Sequence, residues 1–187
     1  MKNHGFYTNK ELQTLGVRCG SNVLISRKVS IYCTQLEIGE NVRIDDFCIL
    51  VGKIKIGSFV HIAAFGQLSG SSGITIEDFS NLSSRVSLFS QTDDYSGEFM
   101  TNPMVDNKFT KVTKGEVIIQ KHSIIGSGSV ILPQVTLAEG TAVGALSLIN
   151  SNTQSWSIYA GIPAKKIKDR KKNPLQLEKE FLNGLNS

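Results

Sequence analysis

Two adjacent carboxylates, Asp93 and Asp94, open a polar stretch, SQTDDYSGEFMTNPMVDNKFTKVTKGE, that interrupts an otherwise regular chain. Carboxylates in such a place can hold a cationic group or take up a proton. An Asp pair in a loop also caps backbone N–H groups, and the residue types leave both readings open. Neighbouring side chains point differently, so one of the two at most reaches a bound substrate. Histidine is scarce, at positions 4, 61 and 122 only. His122 lies in a turn, KHSIIG, and reads as structural; His4 is assigned no role. His61, in IGSFVHIAAFG, is either a proton carrier or a solvent-facing side chain. A zinc site of the three-imidazole kind needs histidines that converge. His61 and His122 are far apart with no close partner, so no metal is expected.

The chain has 187 residues and a formal charge of +4. Much of that charge sits in Lys165, Lys166, Lys168, Arg170, Lys171 and Lys172. A basic cluster can bind nucleic acid, but no aromatic interleaving or reading motif accompanies this one. A solvated tail beside a phosphate-bearing ligand fits it better, and no nucleic-acid partner is expected. Cys19, Cys33 and Cys48 are odd in number and lack CxxC spacing, so reduced, partly buried thiols are expected. No run of eighteen apolar residues could insert in a membrane, and the first residues lack the apolar core of a secretory signal. A cytoplasmic location is the expectation.

What must position these groups is a period of six. From Ile119 the sequence divides into IQKHSI, IGSGSV, ILPQVT, LAEGTA and VGALSL, ending at Ile149. A large aliphatic residue leads each block, and Ser123, Ser129, Val135, Thr141 and Ser147 follow four places later. Ile25, Ile31, Ile38, Ile44, Leu50, Ile56, Ile62 and Leu68 keep nearly the same beat. After an insertion near Gly70–Gly73, Ile76, Leu82 and Leu88 resume it. A helix repeats at 3.6 residues and a half-buried strand at 2, so a sustained six is a short strand plus a corner. Three such units close a coil of about eighteen residues, and coils stack. Ile38 should therefore lie on Ile56, and Ile119 on Leu137. Gly39, Gly57 and Gly126 follow leaders where a side chain would crowd the turn. About seven coils, at roughly 4.8 Å each, make a prism roughly 35 Å tall.

The expected organisation is one domain over residues 1–187. A capping box, Thr8-Asn9-Lys10-Glu11, with Tyr7 and Leu12 as a staple, predicts a helix from about Asn9 to Leu15 within an N-terminal cap, 1–16. Coils fill 17–89, an inserted loop fills 90–116, coils and a signature fill 117–164, and a basic segment fills 165–187. A long insertion in a regular solenoid is functional or disordered. Tyr95, Phe99, Met100, Met104 and Phe109 favour an ordered loop packed on something, such as a neighbouring subunit. Leu175, Leu177, Phe181, Leu182 and Leu185 predict a helix over Pro174–Leu185 that covers the other end or a flank.

The repeat, followed in order by Tyr159-Ala160-Gly161-Ile162-Pro163-Ala164-Lys165, resembles the hexapeptide-repeat acetyltransferases over nearly the whole chain. The resemblance implies an all-β solenoid, a left-handed parallel β-helix with short N-terminal and C-terminal helices. General crossover chirality would have pointed to the opposite hand. It also implies acetyl-CoA as acyl donor and a homotrimer with the donor in a cleft between prisms. Gly126, Ser127, Gly144, Ala145 and Ser147 would let the pantetheine arm lie close, and Lys165, Lys166 and Arg170 would neutralise its phosphates. These residues could equally serve turns and solvation.

Many members of the family carry a histidine at the start of the mid-chain loop, which deprotonates an acceptor hydroxyl. Here Val86-Ser87-Leu88-Phe89-Ser90-Gln91-Thr92 leads to the aspartates without one. A hydroxyl needs a base, whereas a neutral amine attacks a thioester unaided. Asp-Asp-Tyr-Ser-Gly-Glu followed by Thr-Asn-Pro resembles the surface-polysaccharide acetyltransferases. That likeness implies transfer to a nucleotide-linked amino sugar such as dTDP-4-amino-4,6-dideoxyglucose. On this reading Asp93, Asp94 or His61 carries the proton transfer, and Arg43, Asp45, Asp46, Arg85 and Tyr95 contact the sugar or its phosphates. The alternative for Arg43, Asp45, Asp46 and Arg85 is that they decorate corners. Transfer to a sugar hydroxyl, a zinc enzyme of the same architecture and a non-catalytic scaffold are the competing functions.

Overall fold

A computed structural model describes residues 5–185. They form a left-handed parallel β-helix of about seven turns with two short helices. Its first face stacks Val23–Ile25, Val42–Ile44, His61–Ile62, Asn81–Leu82, Ile124–Ile125, Ala142–Val143 and Ser157–Gly161. Three long strands, Ser30–Ile38, Ile49–Ile56 and Gln67–Ile76, run from the second face around a corner onto the third. Ser87–Phe89, Val130–Ile131 and Leu148–Ile149 continue the second face. Val117–Ile119 and Thr136–Leu137 continue the third.

The stacking follows the six-residue beat. Ile38 pairs with Ile56 and Ile119 with Leu137, each one coil on. Ile25, Ile44, Ile62, Leu82, Ile125 and Val143 are buried on the first face, and the other faces bury equivalent aliphatic columns. The small residues of the blocks are buried as well, and their hydroxyls are satisfied locally. Ser123 Oγ donates to Gln120 O, Thr141 Oγ1 to Ala138 O and Ser147 Oγ to Gly144 O, at 2.6–2.8 Å. A buried hydroxyl without a partner would cost about 1–3 kcal/mol, so these bonds make Ser and Thr tolerable inside a narrow core.

Corners also hold bulky residues that the repeat did not announce. Phe47, Phe59, Phe65, Phe79, Arg85, His122, Leu146 and Trp156 all have φ between 53° and 64°. Left-handed backbone is unfavourable for residues with a Cβ. It is offset here by side chains stacking from coil to coil. Phe59 lies 4.7 Å from Phe79, Phe79 5.4 Å from His122, and Phe47 5.2 Å from Phe65.

Both ends of the sheet column are covered. Helix α1, Asn9–Thr14, starts at the expected capping box and buries Leu12, and Gly16 at φ 75° turns the chain into the first coil. Hydrogen bonds from the Thr8 N–H, Arg27 and the Thr8 hydroxyl draw the Glu11 carboxyl down to about 2. At the far end Ala164–Asp169 folds back antiparallel on Ser157–Gly161. Its exposed lysines make an edge strand that resists further strand addition. Helix α2, Asn173–Leu185, takes the flank. Phe181 sits edge-on to Phe59 and Phe79, and Glu178 pairs with Lys121 and His122. The three cysteines are free, and burial pushes the Cys33 and Cys48 thiols up to about 11.

Glycine at the coil corners is set by the next coil. A Cβ on Gly126 would stand 2.5 Å from Ala145 N, and one on Gly57 2.8 Å from Asp78 N. Gly126→Ala should therefore pry two rungs apart and cost roughly 1–3 kcal/mol, against about 2–5 kcal/mol for the cavity left by Leu50→Ala. Urea denaturation followed by circular dichroism reads both; a Gly126→Ala midpoint equal to wild type would contradict rung-to-rung crowding.

Candidate active site

The inserted loop leaves and re-enters the solenoid without disturbing its register. Ile76 pairs with Ile119, Leu82 with Ile125 and Leu88 with Ile131, so the coil before the loop lies directly on the coil after it. Gln91–Thr92 and Thr113–Lys114 zip antiparallel at the loop's neck. Ser90, fully buried, fastens the neck: its hydroxyl donates to Ser69 O and accepts from Ser72 N, while its carbonyl accepts from Gly115 N.

Inside the loop the two aspartates separate in role. Asp94 accepts hydrogen bonds from Ser96 Oγ at 2.8 Å, Gly97 N at 2.9 Å and Phe99 N at 3.4 Å. The Ser96 hydroxyl is the main cause of an acidity stronger than usual, and it outweighs partial burial. Asp94 thus holds the turn. Asp93 accepts only one long bond, from Asn102 N at 3.3 Å. It lines a cleft of about 660 Å³ together with Tyr95, Asn102, Asn107, Lys114 and the apolar floor of Phe89, Val130 and Leu132. Tyr95 and Met104 are more than nine-tenths exposed.

His61 belongs to a second, smaller cleft of about 460 Å³ with Asn41, Arg43, Asp45 and Phe59. Strand register aligns Arg43, His61 and Asn81 across three rungs. His61 Nε2 lies 2.9 Å from Asp45 Oδ2 and Nδ1 lies 3.1 Å from Asn81 Oδ1, so both ring nitrogens are engaged within the row. A ligand would have to displace one of these contacts to reach a ring nitrogen. Burial of Asp45 opposes its charge, but hydrogen bonds from His61 and Arg43 prevail and keep its carboxyl below the usual range. Asp46 turns away to Lys28 and Ser26, and Arg85 lies over the Phe65 ring. His122 is a buried member of the corner stack, and His4 lies outside the described residues.

The residues assigned to the donor lie along the upper coils. Gly126 and Gly144 face the next rung, where added Cβ atoms would meet Ala145 N at 2.5 Å and the Ala160 Cβ at 3.0 Å. Ser147 is buried and accepts from Gly161 N, whereas Ser127 and Ala145 are exposed. The Tyr159–Lys165 signature is the hairpin that closes the prism, with Ala160 opposite Lys165 and Gly161 opposite Ala164. Lys165 is exposed; Lys166 pairs with Asp169 and Gln154. Arg170 donates through Nη1 to His122 O and Gly140 O, and so pins the hairpin to the corner. Sequence reasoning missed Asn81, Asn102, Asn107 and Lys114. The one signal available for the last three was their place in the aperiodic stretch.

No protein-family model matches the chain. A dTDP-4-amino-4,6-dideoxy-D-glucose acyltransferase of Escherichia coli is 45% identical over 176 residues, which cover 91% of this chain and 92% of the relative. AntD, an N-acyltransferase from Bacillus cereus in complex with dTDP and 3-hydroxybutyryl-CoA, is 46% identical with a TM-score of 0.93, covering 98% of this chain and 99% of its own. A variant of AntD in complex with dTDP-4-amino-4,6-dideoxyglucose and coenzyme A gives the same identity and TM-score over 96% and 98%.

The Asp45 row makes a prediction about acid. A carboxyl whose folded pKa is depressed contributes stability that is whole above its unfolded value, about 3.9, and lost as pH falls through the folded one. The melting temperature should hold between pH 7 and 5 and drop below about pH 4. Asp45→Asn should lose less over that lower range than wild type; parallel melting curves would show that Asp45 is not among the groups responsible.

Proposed function

We propose that this chain, which belongs to the same family of hexapeptide-repeat acyltransferases as the dTDP-4-amino-4,6-dideoxy-D-glucose acyltransferases, acylates the amine of a dTDP-linked amino sugar with acyl-CoA as donor. The observation that carries the reading is 45% identity over nine-tenths of the chain, joined to a loop cleft that offers Asp93 and, among the described residues, no imidazole. The amine, once neutral, attacks the thioester carbonyl, forming the C–N bond. The tetrahedral intermediate then expels coenzyme A as its thiolate, breaking the C–S bond. The proton shed by nitrogen passes to Asp93 and on to solvent, and the thiolate takes one up to leave as thiol. Asp93 also favours binding of the sugar's ammonium before that proton is lost. Asp94 acts by holding the loop.

His61, tied between Asp45 and Asn81, is read as a positioning residue of the first face. Lys165 and Lys166 are the cations for the donor's phosphates, with Ser127 and Ala145 as exposed small residues along its arm. A homotrimer is part of the proposal. Tyr32 and Ile49 are exposed on the second face, and a neighbouring prism against that face would wall the loop cleft. Both substrates are cytoplasmic metabolites in kind, and among the described residues no helix is long and apolar enough to cross a membrane.

Acyl transfer to dTDP-4-amino-4,6-dideoxyglucose, followed by thiol release and mass spectrometry, tests the assignment. An N-acyl product is expected, with kcat/KM rising with pH as the free ammonium is deprotonated. Asp93→Asn should lower kcat/KM by about 100-fold. An unchanged Asp93→Asn rate, or release of thiol only with hydroxyl acceptors, would overturn these roles. Light scattering should return three times the chain mass.

A further inference from the structure

Among the described residues the loop cleft carries one cation, and no carboxylate or ring pairs with it. Lys114 lies on the strand pair at the loop's neck, opposite Gln91. Its backbone is held on both sides: Lys114 O accepts from Gln134 Nε2 at 3.0 Å, and the next residue, Gly115, donates to Ser90 O. The other lysines of the loop are engaged. Lys108 pairs with Asp106 and covers the Phe109 ring, and Lys111 covers Phe99. Among the described residues Lys114 has no carboxylate within 4.0 Å and no ring beneath it. Asp93 shares its cleft, yet the two form no ion pair. One volume of about 660 Å³ thus presents a carboxylate and an ammonium that do not neutralise each other.

We infer that Lys114 binds the diphosphate of the acceptor nucleotide, while Asp93 in the same cleft holds its amine. The inference rests on the acyl-transfer reading and assigns one substrate group to one residue. A nucleotide-linked amino sugar is itself dipolar, with a cationic or neutral amine on the ring and two phosphate charges beyond the anomeric carbon. A lysine ammonium supplies charge-assisted hydrogen bonds to such oxygens. The Asn102 and Asn107 side chains line the same cleft and offer neutral contacts for the sugar. Coenzyme A also carries a diphosphate, so the test must tell the two sources apart.

The experiment is calorimetric titration of wild-type, Lys114→Ala and Lys114→Arg protein with dTDP, thymidine and coenzyme A, beside steady-state acylation of the nucleotide amino sugar. Lys114→Ala should weaken dTDP binding at least tenfold and raise the KM of the nucleotide sugar by a similar factor. Its affinities for thymidine and coenzyme A should move less than twofold. Lys114→Arg should restore most of the dTDP affinity. A dTDP affinity unchanged in Lys114→Ala, or a loss confined to coenzyme A, would overturn the assignment. Absence of acylation by wild type would instead refute the acyl-transfer reading, and the dTDP titrations would still decide the role of Lys114.

Discussion

Direct stacking of one rung on the next governs the whole molecule. Each coil must place its aliphatic leaders above those of the coil before, because a column of Ile, Val and Leu is the core. Neighbouring strands lie about 4.8 Å apart, so a residue that enlarges a corner pushes the next rung away. That requirement explains glycine at 57 and 126. It explains buried serines and threonines that bond to carbonyls within or just above their own turn. It also explains why left-handed corners tolerate phenylalanine, whose ring leaves the rung and lies on the ring of the rung above. The ends, where stacking stops, are closed by Leu12 of α1 and by the lysine-rich hairpin.

The same constraint isolates the chemistry from the scaffold. The loop from Ser90 to Glu116 is bounded by rungs that pair as though it were absent, with Leu88 on Ile131. Its sequence is therefore free to serve a ligand. The site that results sits on a floor of Phe89, Val130 and Leu132, set by two rigid rungs, beneath a loop whose turn is tied by Asp94. The chemistry asked of it is modest. In the proposed reaction an amine acceptor brings its own nucleophile, and the loop would orient it and accept a proton.

The architecture was legible because its signal is one-dimensional. A period of six predicted the contact of Ile38 with Ile56, and the capping box at Thr8 predicted α1 within a residue of its observed end. The side chains of the site were harder to read, since they depend on which neighbour reaches a given atom first. Asp93 and Asp94 are equivalent on paper; only the fold shows that Ser96, Gly97 and Phe99 occupy Asp94. His61 reads two ways in sequence, and only the strand register shows Asn81, twenty positions on, beside its second ring nitrogen. Arg170 read as a phosphate ligand, yet its guanidinium is engaged by two corner carbonyls. Lys114 was marked only by its place in the aperiodic stretch, because an isolated lysine in a polar loop has no pattern of its own.

The proposed acyl transfer requires the loop cleft to be the place where amine meets thioester. Crystals grown with dTDP-4-amino-4,6-dideoxyglucose and coenzyme A test this most directly. The expected density places the sugar nitrogen within hydrogen-bonding distance of an Asp93 oxygen and beside the coenzyme A sulfur. A sugar bound away from Asp93, with its nitrogen at His61 or remote from the thiol, would contradict it.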